Sequence, residues 1–128
     1  MTKLYIIRGI PGSGKTTLAG EMWNSGMIDH ATEADKFMVD DNWDYKFDPE
    51  KLEICHKLCQ EEVETFLEMG CDVAVSNTFT RKWEMQAYLD MAEKYGAKTT
   101  VIVCQGEHEN THGVPQSVVE RMKNHFEW

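Results

Sequence analysis

The stretch Gly9-Ile10-Pro11-Gly12-Ser13-Gly14-Lys15-Thr16 constrains this chain more than any other. It matches GxxxxGK[ST] in full, a loop whose glycines let backbone N–H groups approach phosphate oxygens. The motif needs a strand before it and a helix after it, and the chain supplies both. Lys3-Leu4-Tyr5-Ile6-Ile7 is a short apolar run of the kind buried in a parallel sheet. Thr16 to Trp23 carries helix formers, and Gly26 stops the segment. The helix N-terminus adds positive potential where the loop would hold an anion. The expected nucleotide set is Gly9, Pro11, Gly12, Ser13, Gly14, Lys15, Thr16 and Thr17, taking ATP or GTP with Mg²⁺. In such a site the lysine reaches the β- and γ-phosphates and the threonine ligates the metal.

The rest of the chain repeats the strand–helix alternation. A short second strand is expected within His30 to Asp35, and residues 38–48 read as a loop. Asp48-Pro49-Glu50 then opens the clearest helix, with a capping acid followed by proline at the first helical position. Its apolar residues recur at Leu52, Cys55, Leu58, Cys59, Val63, Phe66 and Leu67, and Gly70 ends it. Cys71 to Ser76 is a third strand. Thr80 is placed to cap a helix over Arg81 to Tyr95, Thr99 to Cys104 is a fourth strand, and Pro115 to Phe126 a last helix. This order predicts an α/β P-loop domain spanning 1–128, with a parallel sheet of about four strands and helices on both faces.

Composition narrows the partners. Net charge is −9 and neither half of the chain is basic. Broad binding to nucleic acid needs a cationic surface that releases counterions, so a small substrate or a single strand end fits better than a long duplex. No stretch is long and apolar enough for a membrane helix, and the N-terminal apolar run, broken by Arg8, is too short for a signal peptide. A cytoplasmic protein is the expectation. Cys55, Cys59, Cys71 and Cys104 include no CxxC pair and read as reduced, buried side chains rather than a zinc site.

Ligands of such sheets lie at the carboxyl ends of the strands. The second strand ends near Glu33 and Asp35, the third at Ser76-Asn77-Thr78, and the fourth leads into residues 105–113. Asp35 is the first candidate for a general base and Glu33 the second; either also reads as a cap or a surface acid. Thr16 and Asp35 are the candidate metal ligands. Asn77 stands where a strand-end acid is usual, and reads either as a residue orienting a metal-bound water or as a turn residue. Arg81 and Arg121 are candidate cations for the transferring group or ordinary surface or helix-pairing arginines, and Arg8 leans to the second reading. Trp43, Tyr45 and Phe47 either stack a base of the acceptor or pack their loop onto the body; the acids around them, Asp40, Asp41, Asp44 and Asp48, would repel phosphates and favour packing. His108 and His112 are expected to shape the turn into the last helix.

Six motifs in order resemble the P-loop kinases related to phage polynucleotide kinase, and more narrowly the short bacterial and phage ATP-binding proteins of that group. They are Arg8 to Thr16, Glu33-Ala34-Asp35, Tyr45-Lys46-Phe47-Asp48-Pro49, Ser76-Asn77-Thr78, Trp83-Glu84-Met85 and His112-Gly113-Val114-Pro115. The resemblance runs from Leu4 to Glu127. It implies transfer of a γ-phosphate to a 5′-hydroxyl of a nucleic-acid end or nucleotide. By position, Lys15 and Thr16 match the phosphate and metal residues, and Asp35 the general base. The chain departs from that pattern at Met38, where the family has arginine, and at Asn77, where it has aspartate. It departs again at 106–111, which holds no arginine. Two alternatives accompany this reading: a small-molecule or nucleotide kinase, and a nucleotide-binding module of little turnover that acts through a partner protein.

Overall fold

The computed structural model describes residues 1–106 and 114–128. Four parallel strands, β1 (Lys3–Arg8), β2 (His30–Thr32), β3 (Val73–Asn77) and β4 (Lys98–Val103), lie in the order β2-β3-β1-β4. Between them run α1 (Lys15–Asn24), α2 (Leu52–Glu68) and α3 (Gln86–Tyr95), and α4 (Gln116–His125) follows β4.

The unbroken apolar run of β1 has a simple cause. Successive side chains of a strand point to opposite faces, and both faces of β1 are covered. Leu4 and Ile6 join Val73 and Val75 under α2 and α3. Tyr5 and Ile7 join Ala74 under α1, against Ala19 and Met22. β4 is an edge strand, and Val101 is 44% exposed. The register sets Ile7 beside Ser76 and Arg8 beside Asn77, so the ends of β1 and β3 share one edge of the sheet.

Several boundaries differ from expectation. The second strand stops at Thr32, and Ala34–Phe37 forms a 3₁₀ turn that carries Asp35. Asp48 caps as expected, accepting from the Glu50 N–H at 3.0 Å, but the first turn, Pro49–Lys51, is 3₁₀ and α2 begins at Leu52. On α2, Cys55, Cys59, Val63 and Leu67 form the buried stripe, while Leu52 and Leu58 are more than one-third exposed. Thr80 does not cap the next helix: its hydroxyl donates to Glu84 at 3.2 Å, and that carboxylate accepts the Arg81 N–H at 2.9 Å. A 3₁₀ turn, Lys82–Met85, precedes α3.

The short β2 is tied to α2 by one carboxylate. Glu62 accepts from His30 at 2.9 Å, from the buried Thr32 hydroxyl and from Lys36, while the His30 ring stacks on Phe66 at 3.9 Å. Burial pushes the Glu62 carboxyl up, but the bonds from Lys36, Thr32 and His30 together outweigh it and hold the pKa below the ordinary 4.5. The unfolded chain therefore takes up this proton first as pH falls. Stability from Glu62 is full above about pH 4.5 and is lost as pH drops towards the folded value. Glu62→Gln is expected to cost roughly 1–3 kcal/mol at neutral pH and to flatten the acid limb. Urea unfolding at a series of pH values measures both, and an unchanged acid limb would exclude this role.

Candidate active site

The phosphate loop joins β1 to α1. Gly12 and Gly14 adopt φ of 85° and 95°, a region costly for any side chain, and this curls the loop around its own N–H groups. The Ser13 N–H donates to Ile10 O at 3.1 Å, and the Gly106 N–H to Ser13 O at 3.1 Å. Gly9 has no room for a side chain: a Cβ would lie 2.1 Å from Ser13 Oγ, 2.9 Å from Ser13 Cβ and 3.1 Å from the Cys104 carbonyl. Rotating the serine relieves only the first of these. Gly9→Ala should therefore displace the loop and weaken ATP binding at least ~10-fold, about 1.4 kcal/mol, by calorimetry. Gly20→Ala, in α1 with nothing within 4 Å, is the control; equal affinities in the two variants would refute the steric argument.

Lys15 is 4% exposed. Burial lowers its pKa, and the facing carboxylates Asp35 and Glu33 oppose that shift. The two acids part where the 3₁₀ turn begins, Glu33 just before it and Asp35 within it. In an extended strand, residues two apart share a face. Here Glu33 turns to the helix side, where its Oε2 accepts from Thr16 Oγ1 at 3.1 Å and Ser76 Oγ at 3.5 Å. Asp35 instead lines a cavity. Two hydroxyls and a carboxylate form a hard oxygen set that suits Mg²⁺, which takes one or two carboxylates plus phosphate and water oxygens. The sequence ranked Glu33 as a second base and missed it as the acid against Thr16. Its place just past β2 was the available signal.

Asn77 is buried and serves the same turn. Its Oδ1 accepts the Ala34 N–H at 2.8 Å, and its Nδ2 lies 3.9 Å from Cys59 Sγ. Its side chain thus fixes the backbone immediately before Asp35 rather than capping Thr78 or the following helix. Cys55 and Cys59 are core residues whose thiol pKa values burial raises.

The cavity beside Asp35 measures about 390 Å³. Pro11 of the phosphate loop is part of its wall, and so are Tyr45 and Phe47. Packing onto the body is the favoured of the two expectations for the aromatic loop. Instead Trp43, Tyr45 and Phe47 are 83, 39 and 50% exposed, and the last two face the cavity. A bridge between Val39 and Tyr45 and two bonds to the Asp40 carboxylate hold the loop in that shape. Val118 and Met122 of α4 also line it.

Arg8 anchors α4. It is 2% exposed, donates to Phe79 O at 3.0 and 2.8 Å and to the Glu127 carbonyl, and lies 4.6 Å from the Phe126 ring centre. The Glu127 N–H in turn donates to Thr80 O at 2.7 Å. Arg81 and Arg121 are both exposed, and neither is among the described residues lining the cavity. Thr17 is exposed on the first turn of α1. His108 and His112, with most of the expected lid, lie outside the described residues. Among those described, no helix is long and apolar enough to cross a membrane.

A phosphate loop after the central strand of a β2-β3-β1-β4 sheet, with carboxylates facing its lysine, defines a P-loop kinase fold. The chain belongs to the AAA domain family AAA_33, whose model matches residues 4–112. This bears out the resemblance drawn from the motifs. Among curated proteins, human NEDD4-binding protein 2 is 29% identical over 139 residues, covering 97% of this chain and 8% of that protein. An uncharacterized protein of Pasteurella multocida (strain Pm70), PM0531, is 30% identical over 140 residues, covering 98% of this chain and 77% of that one. A chain of the Pnkp1/Rnl/Hen1 RNA repair complex superposes with a TM-score of 0.75 at 20% identity, over 98% of this chain and 44% of its own. A gluconokinase from Sinorhizobium meliloti 1021 gives 0.64 at 14% identity, over 98 and 75%. At these identities the likeness to the solved structures is one of fold. The chain spans a small part of the human relative and under half of the RNA-repair chain.

Proposed function

We propose that this chain is an ATP-dependent phosphotransferase that moves the γ-phosphate to a hydroxyl. One observation carries the reading: Asp35 and the phosphate loop border the same cavity, with Lys15 beside Asp35. An acceptor in that cavity is placed for attack on a phosphate held by the loop. Its hydroxyl oxygen forms the new bond to the γ-phosphorus, the bond to the bridging oxygen breaks, and ADP leaves. Asp35 takes the hydroxyl proton. Lys15 and the loop N–H groups balance charge on the phosphates. Ser13 Oγ is buried without a hydrogen-bond partner among the described residues, and buried hydroxyls rarely stay so; a bound phosphate oxygen would supply one. Mg²⁺ would be held by Thr16 with Glu33, and Asp35 is the alternative ligand. The acceptor implied by the sequence resemblance is a 5′-hydroxyl of a nucleic-acid end or a nucleotide. Arg81 and Arg121 are the candidate cations for the transition state.

A second reading, a nucleotide-binding module with little turnover, is favoured by the absence of arginine from the described cavity wall. Following ADP formation against a panel of hydroxyl compounds separates the two. Acceptor-dependent ADP formation is expected. Tight ATP binding without turnover on any acceptor would sink the kinase reading. Alanine at Arg81 and at Arg121 should each lower kcat with the ATP Kd unchanged; a variant that keeps full kcat removes that arginine from the role.

A further inference from the structure

The wall chemistry of the acceptor cavity narrows the acceptor further, on the reading that the cavity holds it. Fifteen described residues line the cavity, and the only carboxylate among them is Asp35. None is lysine or arginine. His56, Asn77 and Thr78 are the other polar members, and most of the lining is apolar or aromatic, including Met38, Tyr45, Phe47, Val118 and Met122. A phosphate or a sugar acid entering here would lose water with no lysine or arginine among the described lining residues to replace it, and would meet the carboxylate of Asp35. That combination is costly for an anion. Aromatic walls favour planar, uncharged rings, and about 390 Å³ lies within the range of small-ligand sites.

A second cavity that shares His56 points the same way. Its described lining includes Trp83 with Glu53 and Glu84, and Lys57 as the one lysine or arginine. Two carboxylates to one lysine is a poor track for a phosphodiester chain, and the net charge of −9 offers no compensation at longer range.

We infer that the acceptor is an uncharged hydroxyl compound of the nucleoside class, its ring held between the Tyr45–Phe47 loop and α4, rather than a phosphorylated nucleotide or a strand end. The test compares kcat/KM for four free nucleosides, the same nucleosides as 3′-monophosphates, and a 5′-hydroxyl oligonucleotide. Nucleosides are expected to exceed both other classes by at least ~10-fold, about 1.4 kcal/mol. Phe47→Ser, at a half-exposed loop position, should raise the nucleoside KM at least ~5-fold, within the effect of losing one buried ring, with the ATP Kd unchanged. Equal or faster transfer to monophosphates or the oligonucleotide overturns the inference while leaving the kinase reading intact. If nothing is phosphorylated, the kinase reading fails. Calorimetry with a non-hydrolysable ATP analogue then decides the ligand class: nucleoside binding tighter than monophosphate binding upholds it, and equal or weaker binding overturns it.

Discussion

Asp35→Asn is expected to lower phosphoryl transfer by roughly 10²–10⁴-fold while the ATP Kd stays within about twofold of the parent, under ~0.5 kcal/mol. The amide keeps the shape of the side chain and its place on the 3₁₀ turn, but it cannot take the proton of an attacking hydroxyl. Phosphate binding depends on the glycine loop, Lys15 and the start of α1, none of which the change touches. Losing the carboxylate also removes a negative neighbour of Lys15, so any drift in ATP affinity should be towards tighter binding. Glu33→Gln is the internal comparison. Its carboxylate faces Thr16 and Ser76 rather than the cavity, so its loss should appear as a raised Mg²⁺ requirement that added metal partly restores. Single-turnover transfer with calorimetry on both variants tests the division. Retained transfer in Asp35→Asn would take the base role from that residue.

Arg8→Met is the second large effect, and it falls on stability first. Methionine fills much of the arginine volume but leaves the carbonyls of Phe79 and Glu127 without their donor. Removing one side of a buried charged hydrogen-bond set costs roughly 2–5 kcal/mol, a large part of the stability of a domain this size. The consequence reaches the cavity, because Arg8 holds the C-terminal end of α4 and α4 supplies Val118 and Met122. The variant should show a lower urea midpoint and, under conditions where it is folded, a raised acceptor KM with a smaller change in the ATP Kd. A midpoint within ~0.5 kcal/mol of the parent would show that the anchor contributes little.

These two residues show how differently sites are written into a sequence. Asp35 was legible because it follows a strand in a parallel α/β pattern, where ligands gather. In sequence Arg8 reads as an ordinary surface or helix-pairing arginine, but it is buried and its partners are 71 and 119 residues away, beyond the reach of any local pattern. The helix stripe of α2 was legible in Cys55, Cys59, Val63 and Leu67 and misleading in Leu52, which faces the cavity instead of the core. The choice between packing and stacking for the aromatic loop was not legible, because exposed rings and packed rings look alike in sequence.

The phosphate cradle belongs to the sequence alone. Eight consecutive residues carry its glycines, its lysine and its threonine, and the flanking periodicities place it between a strand and a helix. What the acids do was decided only by tertiary structure. The 3₁₀ turn after Thr32, held by Asn77 from a different strand, sends Glu33 to Thr16 and Asp35 to the cavity. The cavity itself is assembled from the loop after β1, the turn after β2, the start of α2, the end of β3 and α4. Its apolar character exists only once those segments meet, because wall chemistry depends on which faces turn inward, and folding decides that.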